Sequence, residues 1–90
     1  MVDLHLGDCL DILPTLPDDS IDMVMVDLPY GTTACKWDSI IPLDFLWEQY
    51  NRICKKNAAM LFTSAQPFTT TLASSNIDNF RYEWIWEKPQ

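Results

Sequence analysis

Two mostly apolar stretches predict buried strands in this chain. They are residues 21–26 (Ile-Asp-Met-Val-Met-Val) and residues 58–63 (Ala-Ala-Met-Leu-Phe-Thr), and turn-forming residues lie near each. Runs of this length and composition are typical of strands in the interior of a sheet. Residues 2–6 and 80–86 instead alternate apolar with polar side chains, which predicts strands with one buried face. We therefore expect four strands.

Helical patterns separate the four predicted strands. The apolar residues of 10–13 suggest a short helix, for which Asp8 is a suitable N-cap. Pro42 suits a first helical turn, and the apolar residues after it recur at the spacing of an amphipathic helix. Residues 55–57 (Lys-Lys-Asn) are expected to form the last turn and cap of that helix. A third helix is predicted over residues 64–75.

Strands that alternate with helices predict an α/β fold in which the strands pair in parallel. We expect a single domain over residues 1–90, with a Rossmann-like, partly formed doubly wound sheet of about four strands and three helices. The 48% of apolar residues is typical of a packed domain rather than a disordered segment. No apolar run approaches the roughly 20 residues that span a bilayer, and the N-terminus is unlike a signal peptide. The cytoplasm is the expected location.

The charge of the chain argues against strong binding of duplex DNA by this sequence alone. Six basic residues face thirteen acidic ones, so the net charge is −7, whereas affinity for DNA comes largely from lysine and arginine. Either the partner is not a nucleic acid, or other protein supplies the basic surface. The three cysteines and one histidine lack the spacing of a metal site, so we expect no metal and reduced cysteines.

The most informative motif is Asp27-Leu28-Pro29-Tyr30, which directly follows the strand predicted over residues 21–26. In open α/β sheets, ligands bind at the carboxyl ends of the strands. A carboxylate acceptor, a stiff proline and an aromatic ring within four residues could hold a flat ring that carries an amine. The same residues could form a simple turn, because Asp and Pro both favour turns. On these four residues alone, both interpretations stay open.

The tetrad resembles the Asp-Pro-Pro-Tyr motif of amino-methyltransferases, which methylate the exocyclic nitrogen of adenine or cytosine in DNA. Leu28 departs from that motif, because the family has proline at the second position. The resemblance covers nearly all of the chain, and its segments follow the order found in bacterial and phage DNA amino-methyltransferases. These segments are 7–13, 17–22, 30–38, 46–55, 58–63, 66–68 and 84–88.

The resemblance implies S-adenosylmethionine as the methyl donor and the tetrad as the catalytic motif. Asp27 and the backbone carbonyl of Leu28 would accept the two hydrogens of the amine and direct its lone pair at the methyl group. Pro29 would stiffen the backbone, and Tyr30 would stack on a base flipped out of the duplex. Asp8 is implied to contact the adenine end of the donor, although a role as helix N-cap is equally open. An aspartate at the head of the tetrad favours adenine N6 over cytosine N4.

The donor-binding part of the family is not found in this sequence. Gly7 and Gly31 are the only glycines, and no segment resembles the Phe-x-Gly-x-Gly loop of the family. In one permuted class, that loop lies C-terminal to the tetrad, with the target-recognition region between them. We therefore expect residues 1–90 to be the N-terminal catalytic part of a longer enzyme that contacts DNA through the missing region. The isolated chain is expected to be inactive.

Three alternatives remain open at this point. The chain could belong to an enzyme that methylates cytosine N4, or to one that acts on RNA or on a protein glutamine. It could also be an inactive, truncated remnant that serves at most as an interaction module. Because an incomplete parallel sheet has an exposed edge, a homodimer is a further possibility.

Overall fold

The computed structural model of the protein describes residues 2–29, 41–87 and 89. These residues contain three α-helices and two strands. The helices are α1 (Cys9–Ile12), α2 (Leu43–Ile53) and α3 (Phe68–Ser75), and the strands are β1 (Ile21–Asp27) and β2 (Cys54–Thr63). Single 3₁₀ turns follow α1 and α3, at Leu13–Thr15 and Ile77–Asn79. The described chain is therefore of the α/β class.

The two strands pair in parallel, and the chain crosses from one to the other through α2. Parallel strands need such a crossover, because the chain must return to the starting edge before the second strand begins. The ladder is irregular between Ile21 and Met23 and regular from Met23 to the end of β1. The partners in the regular part are Met23 with Ala59, Val24 with Met60, Met25 with Leu61, Val26 with Phe62 and Asp27 with Thr63.

The core lies between one face of this sheet and the helices. Leu46 of α2 is 1% exposed, and Tyr50 and Ile53 follow it at helical spacing on the same buried side. The Tyr50 ring lies 6.1 Å from that of Phe62 on β2, measured between ring centroids. The buried apolar residues are Leu28, Leu46, Tyr50, Ile53, Cys54, Phe68 and Leu72.

The other face of the sheet is open. Side chains of a strand alternate between its two faces, so Met23 and Met25 lie opposite to Val24 and Val26. The two valines are half-buried and pack against the core, whereas the Met25 side chain is 73% exposed. Parallel sheets are normally covered on both faces. The described residues thus form one of the two helical layers that a doubly wound sheet would have.

Two of the four predicted strands are not seen. Residues 2–6 and 80–86 lie outside the sheet, which contains only β1 and β2 among the described residues. Apolar side chains in both segments are exposed, for example Leu4 at 91% and Trp84 at 79%. A segment of alternating residues forms a strand only if a neighbouring strand can pair with it and an apolar layer can cover its apolar face. The local sequence does not determine whether either is present. A four-stranded, Rossmann-like sheet is therefore not confirmed.

The predicted end of the second helix is wrong. The helix α2 ends at Ile53, and residues 55–57 belong to β2 instead of its last turn. The cause is tertiary, because the backbone N–H of Ser20, just before β1, donates to the Ile53 carbonyl at 2.8 Å. Cys54 is accordingly extended, with φ −79° and ψ 141°. Lys55 then forms an ion pair with Asp22 at 2.7 Å, across to β1.

The remaining elements are confirmed, with shifted boundaries. The strand predicted over residues 21–26 extends to Asp27, and the strand predicted over residues 58–63 begins four residues earlier, at Cys54. A short helix follows Asp8 as expected. The helix predicted over residues 64–75 begins only at Phe68, after Pro67 as its N-cap.

We expect Leu46→Ala to lower the free energy of unfolding by about 2–5 kcal/mol, because it leaves a cavity at the most buried side chain of α2. Met25→Ala is the matched control, since it removes an apolar side chain from the open face, and its cost should stay below about 1 kcal/mol. Urea denaturation followed by tryptophan fluorescence measures both. Equal losses for the two variants would contradict this assignment of the core.

Candidate functional site

The last residues of the two strands form a polar pair at the carboxyl edge of the sheet. Asp27 ends β1 and lies in register with Thr63, which ends β2. The Thr63 hydroxyl donates a hydrogen bond to Asp27 Oδ1, with 2.6 Å between the oxygens. Both residues are exposed. The parallel crossover thus brings together two side chains 36 positions apart in sequence, at the edge where ligands bind in open α/β sheets.

The side chain of Leu28, the next residue of the tetrad, is buried in the core. Leu28 is 5% exposed and belongs to the same buried cluster as Leu46 and Phe68. Its side chain therefore anchors the tetrad in the core, and Leu28 can reach a ligand only through its backbone. Pro29 is half-buried. Tyr30 lies outside the described residues, so the stacking role expected of it stays a prediction.

Asp8 is the N-cap of α1, as one of its two sequence interpretations predicts. Its Oδ1 accepts from the backbone N–H of Leu10 at 2.9 Å. The residue before it, Gly7, has φ +155°, and a Cβ at that position would lie 3.2 Å from the Ile12 side chain. Glycine therefore permits the turn into α1. The implied contact of Asp8 with a methyl donor stays a prediction.

The two acids of the predicted site are not directly linked. Within residues 2–29 and 41–87, Asp8 bonds to the start of α1 and Asp27 bonds to Thr63, and no hydrogen bond joins the two carboxylates. The structure places Asp27 and Leu28 at the sheet edge, and it places Asp8 at a helix N-terminus.

The guanidinium of Arg52 is a structural cation that the sequence analysis did not identify. Its Nη1 donates to the Leu16 carbonyl and to Asp18 Oδ1, both at 2.7 Å, and its Nη2 donates to the Leu13 carbonyl and to Gln49 Oε1, both at 2.9 Å. These bonds hold the segment before β1 against α2. A polar Gln49 three residues earlier on the buried side of α2 was the available signal, but its partners could not be read from local sequence.

Partial or full burial favours the neutral form of the two described thiols and of the Tyr50 phenol. Burial raises the pKa of the Cys54 thiol, and burial together with the nearby Asp8 carboxylate raises that of Cys9. Burial also raises the pKa of the Tyr50 phenol, with a further contribution from negative charge at Cys9 and Cys54. Cys9 and Cys54 are both free thiols. Their raised pKa values make them poor nucleophiles at neutral pH.

A shallow depression lies at the opposite end of the sheet, lined by Asp22 and residues 55–58. The ion pair between Asp22 and Lys55 partly neutralises its charge. Asp22 and Asp27 are five residues apart on β1, a distance of roughly 16 Å along a strand. This depression is therefore separate from the Asp27–Thr63 pair.

Two kinds of feature are not found among the described residues. Among them, no group of three or more His, Cys, Asp or Glu side chains is arranged to hold a metal ion. No helix in the described part of the chain has both the length and the apolar character needed to cross a membrane.

A scan against protein-family models finds no match, and neither does a search of solved structures. The resemblance to amino-methyltransferases therefore rests on the residues of the sequence.

We expect the protein to become less stable as the pH rises above about 9. The unfolded chain loses protons from thiols near 9.0 and from phenols near 10.0, whereas the native state raises the pKa of Cys9, Cys54 and Tyr50. The stability that these neutral groups contribute is complete below the unfolded values and is lost as the pH rises through the native ones. Urea midpoints measured from neutral to strongly alkaline pH test this.

Tyr50→Phe is the control for the pH experiment, because it keeps the ring and removes the phenol. The part of the stability loss that develops above about pH 10 should become smaller in this variant. A wild-type midpoint that stays constant through that range would contradict the proposed burial of these groups.

Asp8→Ala should lower the free energy of unfolding by about 1 kcal/mol, because it removes the N-cap of α1. Asp8→Asn keeps an acceptor oxygen at the same position and should leave stability nearly unchanged. Thermal unfolding of the two variants measures the difference. If both variants were equally destabilised, the charge of Asp8 and not its cap bond would be the stabilising feature.

Proposed function

We propose that this chain is the catalytic part of a site-specific DNA methyltransferase. The enzyme would transfer a methyl group from S-adenosylmethionine to the exocyclic amine of a flipped base, with adenine N6 as the favoured target. The observation that carries the proposal is the exposed Asp27 carboxylate, held by Thr63 at the carboxyl edge of a parallel sheet. It heads a tetrad that resembles Asp-Pro-Pro-Tyr.

Two described residues support the proposal of amine methylation. An exocyclic amine is weakly nucleophilic, because its lone pair is delocalised into the ring. Asp27 supplies a carboxylate, which is purely an acceptor and can bind one amine hydrogen. The Leu28 carbonyl is the proposed second acceptor, and the buried Leu28 side chain anchors that part of the backbone. Two acceptors would favour a pyramidal nitrogen whose lone pair is available for attack.

The methyl donor would be held partly by Asp8. When bound, S-adenosylmethionine supplies an electrophilic methyl group on a positively charged sulfur. The Asp8 carboxylate is exposed, and it has lone pairs beyond the one that caps α1, so it fits an adenine amine. Gly7 is the only glycine in the described part of the chain. We therefore assign the methionine end of the donor to protein outside this segment.

The reaction needs a base outside the duplex and DNA held by other residues. The amine of a paired base is not accessible to an enclosed pocket, so the base must be flipped out. Tyr30 is proposed to stack on it, a contact worth about 1–3 kcal/mol. A net charge of −7 gives this chain little attraction for phosphate. We assign the DNA contacts to a basic region elsewhere in the enzyme, and we propose a cytoplasmic location, where free thiols such as Cys9 and Cys54 are usual.

An interaction module without activity is the second candidate. The observation that favours it is the open face of the sheet, where Met25 is largely exposed. A second copy of the chain or another protein would cover such a face. The two candidates differ in one result, because only the enzyme forms a methylated base.

Asp27→Ala in the complete gene product is expected to abolish methyl transfer and to leave donor binding unchanged, because the carboxylate contacts the base and not the donor. Mass spectrometry of nucleosides from treated DNA measures transfer, and it separates N6-methyladenine from N4-methylcytosine. Titration calorimetry with S-adenosylmethionine measures donor binding.

Asp27→Asn is the matched variant for this experiment. It keeps the shape of the side chain and a carbonyl acceptor, and it removes the negative charge. We expect it to retain part of the activity that Asp27→Ala loses. Wild-type turnover by the Asp27→Ala enzyme would contradict a role for Asp27 in the reaction.

A further inference from the structure

Thr63 is a polar residue at the end of a strand whose preceding five residues, 58–62, are all apolar. Its hydroxyl lies 2.6 Å from Asp27 Oδ1, which is within the range of a short hydrogen bond to a charged oxygen. A threonine hydroxyl has a single proton to donate. That proton is therefore used on Asp27.

The bond restrains the carboxylate of Asp27. The last torsion of an aspartate side chain has broad minima, so an exposed carboxylate can turn and exchange its two oxygens. Thr63 engages Oδ1, and among the described residues no other side chain donates a hydrogen bond to the Asp27 carboxylate. The other oxygen, Oδ2, is thus the one that a ligand at the sheet edge would meet. Because threonine is β-branched, its own side chain has few rotamers, which keeps the donor in place.

We propose that Thr63 is a positioning residue that makes Asp27 present a single fixed acceptor, Oδ2, to the amine of the proposed substrate. The inference rests on the proposed function of the tetrad. A preorganised acceptor stabilises charge that develops in the transition state without the cost of reorienting it. Thr63 acts through Asp27 and needs no contact with the substrate.

The same bond also determines which bases are excluded. A free hydroxyl beside Asp27 could donate to a ring carbonyl and so accept guanine or thymine. With that proton used on Asp27, the pair offers only an acceptor to the base. A ring carbonyl opposite Oδ2 would place two acceptors against each other, whereas the amines of adenine and cytosine donate. The pair therefore fits the amine edge of adenine or cytosine, and it does not fit the O6 edge of guanine or the O4 edge of thymine.

Thr63→Val and Thr63→Ser test this role in the complete gene product. Valine keeps the branched shape without the hydroxyl, and serine keeps the hydroxyl. We expect Thr63→Val to lower kcat roughly ten- to a hundredfold, since a hydrogen bond to a charged group is lost, with the KM for S-adenosylmethionine unchanged. Thr63→Ser should recover most of the loss. If Thr63 had a purely structural role, the loss of kcat would instead parallel a loss of thermal stability, which is measured on the same variants.

A second readout does not depend on turnover. The ¹³C carboxyl signal of Asp27 should shift in Thr63→Val and return toward the wild-type position in Thr63→Ser. An unchanged signal, or a Thr63→Val enzyme with wild-type kcat while Asp27→Ala is inactive, would overturn the role of Thr63 alone. A wild-type protein that forms no methylated base would overturn the proposed function itself, and this inference with it.

Discussion

The parallel pairing of β1 with β2 is the interaction on which the rest of the structure depends. Two parallel strands cannot be joined by a tight turn, so the chain must cross over through a helix. That helix, α2, covers one face of the sheet and buries Leu46 there. The same pairing brings the carboxyl ends of both strands to one edge, where Asp27 and Thr63 meet. The parallel strand pairing thus produces both the core and the candidate site.

This arrangement leaves the domain one-sided. The face that carries Met23 and Met25 is open, and the segments 2–6 and 80–86 lie outside the sheet with exposed apolar side chains. A chain of this size buries a modest fraction of its surface, so such a layer is thinly stabilised. Arg52 adds a polar attachment to this layer. It donates to three backbone and side-chain acceptors before β1, and these bonds hold the segment before β1 on α2. The buried cluster therefore joins the two strands to α2 and α3 on one side of the sheet.

The tetrad places an exposed polar residue and a buried apolar residue in adjacent positions at the end of β1. Successive side chains of β1 and its continuation point to opposite sides, which exposes Asp27 and buries Leu28. In the family that the sequence resembles, proline at the second position stiffens the backbone. In this chain, the buried Leu28 side chain provides an anchor by apolar packing instead. The departure from the motif is thus compatible with the proposed role of the backbone carbonyl.

The sequence by itself determined the features that depend on neighbouring residues. The apolar runs predicted β1 and β2, the helical spacing predicted α2, and the N-cap of α1 followed from Asp8, because strand burial, amphipathicity and capping are local. The tertiary structure decided what depends on distant partners. It ended α2 at Ile53, because the Ile53 carbonyl accepts from Ser20. It left residues 2–6 and 80–86 outside the sheet, since alternation cannot provide a pairing edge. It also joined Thr63 to Asp27 across 36 positions, because only the crossover determines which strand ends meet.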